Sequence, residues 1–297
     1  MTQNIIVIGA GFAGLLSALS AARLRDEKGV SPTDLAITVV APEPSLIVRP
    51  RLYERKPETM VAPLTELFLA TDINFHAGRV DNIDSEGRTI QTIGVNGAME
   101  ILSYDRLVIA TGSQGFQPPI PGLSDYGHSV TDRDGAVALD KHLHALSKRP
   151  ASPARNTVVV GGGGFTGLEV ATEMPDRLRE ILGHDTPVRV VIVEHGPCVA
   201  RDMGDEPRPY IEARLRELGI ETILGSGIAG LDKGGVTLDN GERIEAETVI
   251  WSAGMRASSL TAQLPAERDN LGRILVDPDL RVPGAVHIFA AGDTAKA

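Results

Sequence analysis

An α/β fold built twice is what this 297-residue sequence predicts, and three observations carry the prediction. A short apolar run at residues 5–8 leads into Gly9-Ala10-Gly11-Phe12-Ala13-Gly14 and then into a helical pattern. The same order returns with Val158, Val159 and Val160, then Gly162-Gly163-Gly164-Phe165-Thr166-Gly167, the two glycine patterns lying 153 residues apart. Each copy continues into a second apolar strand, alternating residues with tight-turn signals, and a closing strand that ends in small residues and glycine. Strand, glycine turn, helix and second strand make a βαβ unit. The expected architecture is therefore two Rossmann-like dinucleotide-binding domains, each with an antiparallel β-meander.

Bulk properties agree with a folded chain. Hydrophobic content is 42% and charged content 23%, which places the sequence among globular proteins with room for two cores. The net charge of −10 argues against a nucleic-acid partner, which wants a basic face. The lone Cys198 excludes an internal disulfide and suits a reducing compartment, so a cytoplasmic location is expected. Residues 5–22 are uncharged and about as long as a signal core or a short membrane span. No Lys or Arg precedes them, however, and Gly9, Gly11 and Gly14 interrupt them at nucleotide-loop spacing. A buried strand and a packed helix explain the stretch better, and no transmembrane segment is expected.

In the first half, the strand at residues 5–8 is followed by a helix to about Asp26, a loop with Gly29 and Pro32, and a second strand at residues 37–40. The glycines have separate tasks in such a turn. The first allows the tight bend, the second lets backbone approach a pyrophosphate, and the third lets the helix pack on the strand. An acid is expected after the second strand, where it binds ribose hydroxyls. In the second copy Glu194 stands 27 residues after Gly167, but in the first copy the residue 27 after Gly14 is Ala41. Glu43 stands two residues on and either reaches the ribose from a bent loop or is a solvated loop carboxylate. The segment Ser45 to Glu54 reads as a connection, and residues 75–102 as an antiparallel meander with turns at Ser85-Glu86-Gly87 and Asn96-Gly97. A further strand ends in Ala110-Thr111-Gly112.

The second half opens with a proline-rich connection and a helix at residues 134–148, carrying Val137, Leu139, Leu143 and Leu146. His142 and His144 lie two apart on it and do not face each other, and the other histidines show no ligand spacing, so no metal is expected. The second βαβ unit follows, then a helix at residues 210–218. A meander comes next with turns at Lys233-Gly234-Gly235 and Asp239-Asn240-Gly241, and the closing strand ends in Ser252-Ala253-Gly254. The last stretch is a strand running into Ala290-Ala291-Gly292-Asp293. Glu194 reads as the ribose acid, with a surface carboxylate at a strand end as the alternative. His195 is its neighbour, and no arginine is evident to welcome a 2′-phosphate. Glu169, five residues after Gly164, lies about one and a half turns into the helix. It either points toward the bound nucleotides or pairs along the helix with Arg177 or Arg179.

The order of these motifs resembles two-dinucleotide-binding-domain flavoproteins of the pyridine nucleotide-disulfide oxidoreductase type. More narrowly it resembles type II NADH dehydrogenases (NADH:quinone oxidoreductases). Arg49-Pro50-Arg51-Leu52-Tyr53-Glu54, Val249-Ile250-Trp251-Ser252-Ala253-Gly254-Met255-Arg256-Ala257-Ser258 and Leu275-Val276-Asp277-Pro278-Asp279-Leu280-Arg281-Val282-Pro283-Gly284 are similar to segments of that family. The resemblance implies FAD on the first loop, held by Gly9, Gly11, Phe12, Ala13, Gly14, Glu43, Arg49, Val80, Ala110, Thr111, Gly112 and Asp293. It implies NADH on the second, held by Gly162, Gly164, Phe165, Thr166, Gly167, Glu194, Ala253 and Gly254. Glu169 is implied close to both nicotinamide and flavin as the catalytic residue. The implied domains are residues 1–113 with 255–297 for FAD and 114–254 for NAD(P)H.

The implied activity is hydride transfer from NADH to flavin and on to a second acceptor, a quinone or another small electron acceptor. Two departures stand out: Ala41 in place of the usual acid, and an end four residues after Asp293. The family's further segment would complete the flavin helix and carry quinone, homodimer and peripheral membrane contacts. A soluble reductase of a biosynthetic or protein-carrier pathway, or a non-catalytic redox sensor, is the competing reading. Disulfide reduction needs a cysteine pair, and peroxidase or sulfide chemistry a cysteine near the flavin. Cys198 stands alone just past Glu194 and reads as a small loop residue.

Overall fold

The computed structural model describes residues 2–297. The chain divides into two compact units: Met1–Ile47, Val61–Gln114 and Met255–Ala297 form the first, Val48–Met60 and Gly115–Gly254 the second. One difference from the sequence expectation is that Val48–Met60, placed by sequence with residues 1–113, clusters with the second unit.

The first unit is built on a six-stranded sheet in the order Arg281–Val282, Ala285–Ala290, Arg106–Ile109, Gln3–Ile8, Leu35–Ala41, Asn74–Ala77. All neighbours run parallel except the first two. Both faces are covered, so its central strands are continuous apolar runs and not alternating ones. Alternate side chains enter separate cores. Ile6 and Ile8 join Val40, Leu107, Ile109 and Ile288 on one face, while Val7 joins Ile37, Val39 and the helix residues Leu15, Ala18 and Ala22 on the other. That helix, Phe12–Glu27, buries small residues against the strands, which lets its backbone approach closely.

The second unit repeats the plan with five parallel strands in the order Gly127–Ser129, Thr248–Trp251, Thr157–Gly161, Arg189–Glu194, Ile220–Leu224. Val158, Val160, Val190, Ile192 and Ile250 meet the helices Arg133–Leu146 and Phe165–Leu182. Val159, Val191, Val193 and Val249 meet the meander through Val236, Leu238 and Ile244. The helix Arg133–Leu146 starts where Asp132 accepts a hydrogen bond from the Gly135 N–H at 2.8 Å, and it buries Ala136, Leu139, Leu143 and Leu146 at helical spacing.

Both meanders exist, but the first is shorter than the alternation suggested. It comprises Arg79–Asp84, Thr89–Ile93 and Met99–Ser103. The preceding strand, Asn74–Ala77, pairs parallel with Leu35–Ala41 as the sheet edge and not as a meander strand. Period-2 alternation marks a strand but does not choose its partner.

A histidine pair gives the second unit an acid-labile point. The rings of His128 and His142 lie 4.3 Å apart, and His142 Nε2 meets the fully buried Thr248 hydroxyl at 2.9 Å. Burial, then the His128 ring and Arg149, push His142 from the ordinary 6.5 down to about 4, against an opposing pull from Glu247. Burial first and Arg149 second also lower His128. The unfolded chain therefore takes up this proton at a higher pH than the folded one. Stability is present above about pH 6.5 and is lost as pH falls toward 4. Thermal melts across that window should show a falling Tm, and His142→Gln should flatten the slope. A slope unchanged by the substitution would assign the effect to other groups.

Candidate dinucleotide sites

The two glycine turns are built alike. Gly9 and Gly162 adopt φ of +108° and +111°, which side-chain-bearing residues rarely take. A Cβ on Gly14 would fall 1.9 Å from the Gly9 carbonyl oxygen, and one on Gly167 1.9 Å from that of Gly162. Those third glycines are where the helix packs on the turn. Around the second glycines, Gly11 and Gly164, a Cβ would meet nothing within 4 Å. The three positions thus divide the tasks that a pyrophosphate-binding turn needs. Among the described residues neither helix has a side-chain cap or a first-turn acid, so their leading N–H groups remain for an anion. Phe12 and Phe165 open the two helices and are both exposed.

The strand ends differ as the sequence implied. Gly9 N–H donates to the Val40 carbonyl and Gly162 N–H to that of Val193. Ala41 and Glu194 are therefore equivalent positions. Ala41 is buried in the core, whereas the Glu194 carboxylate turns toward its glycine turn. Its Oε2 accepts from the Gly163 N–H at 2.6 Å and its Oε1 from the Gly196 N–H at 2.7 Å. Glu43 is exposed and accepts only a long bond from the Ser45 hydroxyl, at 3.5 Å. Among the described residues no hydrogen bond ties it to the first turn.

Around the first turn, three segments far apart in sequence converge. Ala110 lies against Gly9, and Gly292 lies against Ala13, where an added Cβ would come within 2.8 Å of that methyl. Ala291 N–H donates to the Ile109 carbonyl at 3.0 Å, which joins Ala110-Thr111-Gly112 to the Asp293 turn. Asp293 Oδ2 accepts from the Ser113 hydroxyl at 2.7 Å. Among the described residues the buried Thr111 hydroxyl has no partner, which fits a ligand group completing it. Two other residues expected here have contacts of their own. Val80 is packed in the core beside Ile83 and Ile90, so its side chain offers no ligand surface. Arg49 belongs to the second unit, where its Nε donates to the Thr131 carbonyl at 3.0 Å.

Around the second turn, Ser252 Oγ donates to the Gly161 carbonyl at 3.0 Å and Ala253 packs on Gly162. Gly254, at φ +79°, accepts from the Phe116 N–H at 2.8 Å. A cavity of about 340 Å³ is lined by Gly163, Gly164, Glu194, Cys198, Arg201 and Asp202. Cys198 is half-buried there. Arg201 corrects the sequence reading that no arginine stands at this site. The signal was its position seven residues after Glu194, on a short 3₁₀ turn that brings it back to the cavity.

Glu169 has neither of the arginine partners considered for it. Arg177 pairs with Asp140, and Arg179 with Asp176. Burial raises the Glu169 carboxyl from its ordinary value. It lines a second cavity of about 330 Å³ with Phe165, Leu168, Thr172, Met203 and Tyr210. Tyr53 is raised by burial first and by Glu169 next, so the Val48–Met60 segment brings a phenol toward that carboxyl. Ser113, Tyr53, Arg201 and Ser252 stand beside these positions without having been among the expected site residues, although Tyr53 and Ser252 lie in segments similar to the family's.

Comparison with known proteins agrees with this geometry. Residues 3–297 match the family model of pyridine nucleotide-disulphide oxidoreductases. The chain is 45% identical to an NADH dehydrogenase-like protein of Mycobacterium tuberculosis, over 99% of this chain and 73% of that one. It is 30% identical to the demethylphylloquinone reductase of Synechocystis, over 99% of this chain and 72% of that one. The fold matches NDH2 from Plasmodium falciparum, solved in complex with NADH, with a TM-score of 0.83 at 20% identity; this chain is covered whole and spans 65% of that one. Doubled glycine turn, doubled parallel sheet and family match agree. The chain belongs to the pyridine nucleotide-disulphide oxidoreductase family.

Proposed function

We propose that this chain is an FAD-dependent NADH oxidoreductase that passes electrons to a quinone. The single observation that carries the reading is the pair of equivalent glycine turns, only one of which keeps a strand-end carboxylate, Glu194. The relatives add the direction. One is named NADH dehydrogenase-like, one demethylphylloquinone reductase, and a type II NADH:quinone oxidoreductase of Mycobacterium tuberculosis is 28% identical over 99% of this chain.

When bound, the flavin supplies the redox chemistry, accepting hydride and handing electrons on; the protein supplies binding, alignment and electrostatics. Gly9 and Gly14 allow the tight turn and the close helix packing, Gly11 leaves backbone open, and the first N–H groups of Phe12–Glu27 would hold the flavin pyrophosphate. Thr111 and the Ser113–Asp293 pair stand at the same end of the sheet to hold polar parts of that cofactor. With Ala41 apolar, the first site relies on these turns and not on a strand-end acid. In the second site Gly162, Gly164 and Gly167 receive the NADH pyrophosphate, and Glu194 accepts from the ribose hydroxyls. Two of its roughly four lone-pair directions are already used by backbone N–H groups, which fixes the carboxylate in place.

Glu169 is the residue we assign to handling a proton, because burial favours its protonated form. Glu169→Gln should leave NADH affinity within about threefold and slow turnover about 10- to 100-fold. Unchanged rates of flavin reduction and reoxidation would remove Glu169 from the mechanism.

No helix among the described residues is long and apolar enough to cross a membrane. The reading places the protein in the cytoplasm, where the lone thiol stays reduced. The assay that tests the function is NADH oxidation by the FAD-loaded chain with a soluble quinone present. Quinone-dependent NADH consumption is expected; consumption that ignores quinone and tracks oxygen or a protein carrier would reassign the acceptor.

A further inference from the structure

Among the described residues three arginines are buried, and two of them have a carboxylate partner. Arg25 meets Asp26 at 3.1 Å, and Arg177 pairs with Asp140. Arg155 is 9% exposed and has none among the described residues. Its Nε donates to the Asn156 side-chain oxygen at 2.9 Å and its Nη1 to the Arg149 carbonyl at 3.1 Å, both neutral acceptors. A guanidinium carries further N–H donors, and a buried charge is normally paired because leaving it without a counter-ion is costly. Arg155 lines a cavity of about 840 Å³, a volume in the range of small-molecule sites. Ala151, Pro153, Pro187 and Val188 give that cavity apolar walls. It lies within the second unit, where the strands Thr157–Gly161 and Arg189–Glu194 begin. The glycine turn and Glu194 stand at the other ends of those parallel strands, about 13 Å away.

We propose that this cavity binds a small organic carboxylate, its charged end on the Arg155 guanidinium and its apolar body against Pro153, Pro187 and Val188. The site is separate from the second glycine turn and does not depend on which nucleotide that turn takes. One guanidinium balances one negative charge, so a carboxylate fits it better than a doubly charged phosphate. Arg189 lines the cavity too, but its Nε and Nη2 already donate to Glu221 at 2.9 and 2.7 Å, so it adds no free charge. Asp185 is the opposing charge. It is exposed whereas Arg155 is buried, so solvent screens its repulsion more than it screens the attraction. The helix Phe165–Leu182 ends beside the cavity, at Gly183. Its Arg179 and Leu182 carbonyls accept from the Gly183 N–H and the Thr186 hydroxyl, so these oxygens do not confront the ligand unpaired.

The test is a ligand-observed NMR titration of the full, FAD-loaded chain with hexanoate, and with 1-hexanol as its neutral counterpart. Hexanoate should saturate with a Kd of about 1 mM, and 1-hexanol should bind about tenfold or more weakly, the scale of one charge-assisted contact. Arg155→Gln should bring hexanoate down to the level of 1-hexanol. Saturating NAD⁺ should leave hexanoate binding unchanged. Equal binding of hexanoate and 1-hexanol, hexanoate binding that survives Arg155→Gln, or displacement of hexanoate by NAD⁺ overturns the inference. Inorganic phosphate that displaces hexanoate at equal concentration overturns the choice of a carboxylate. If Arg155→Gln fails to fold, the exposed Asp185 supplies the second variant. Asp185→Asn should tighten hexanoate about twofold and leave 1-hexanol unchanged, since it removes only the opposing charge. A hexanoate affinity that ignores Asp185→Asn overturns the inference as well.

Discussion

Gly14→Ala should yield a protein that purifies without flavin and stays colourless after incubation with FAD, whereas Gly167→Ala should stay yellow and lose NADH binding by about 100-fold or more. The cause is the same in both. The added methyl would sit 1.9 Å from a backbone oxygen, of Gly9 in one case and Gly162 in the other. Backbone at the base of a turn has nowhere to move without pulling the helix off the strand. Overpacking of this kind costs about 1–3 kcal/mol when the surroundings yield and more when they do not. The two substitutions are chemically identical, so their different consequences report which turn holds which ligand. Flavin content after gel filtration and NAD⁺ calorimetry read the two outcomes. Loss of both ligands in either variant would mean that the sites are not separately assigned.

Arg177→Ala should lower stability by about 3–5 kcal/mol, a Tm loss of about 10 °C. The Arg177 side chain is 3% exposed, paired with Asp140 on the helix Arg133–Leu146 and donating to the Tyr53 carbonyl at 3.3 Å. Removing it leaves Asp140 half-buried beside His144, without its strongest partner, and removes one of the ties between the Val48–Met60 segment and the helix Phe165–Leu182, where Arg55–Glu180 remains. A buried pair is costly to break from one side and far less costly to replace from both. Arg177→Met with Asp140→Leu should therefore recover at least half of the loss. Thermal and urea melts of the three variants decide it. A single variant that melts like the unsubstituted protein would show that the pair contributes nothing.

Much of this was legible in the sequence because the glycine turns are local. Strand, turn and helix lie within about 20 residues, and the backbone demands of the turn restrict the residue type at fixed offsets. The Ala41–Glu194 contrast was legible for the same reason, and the equivalent bonds from Gly9 and Gly162 to Val40 and Val193 give it a structural basis. What was not legible depended on distant partners. Asn74–Ala77 alternates like a meander strand, but Leu35–Ala41 offered the free sheet edge. The Ser45 to Glu54 segment read as a connection, yet from Val48 onward it clusters with the second unit, where Tyr53 and Arg49 bond Arg177 and Thr131. His142 does not face His144, but its neighbour His128 comes from the strand Gly127–Ser129. Arg201 escaped notice because a turn, not the strand, returns it to Glu194.

Anaerobic titration of the FAD-loaded chain with NADH, followed by flavin absorbance, tests the central claim that the two turns hold FAD and NADH separately. The expected result is a yellow protein bleached by one equivalent of NADH, with colour restored on adding a soluble quinone. A chain that takes up no flavin, or a yellow one that NADH leaves unbleached, would contradict it.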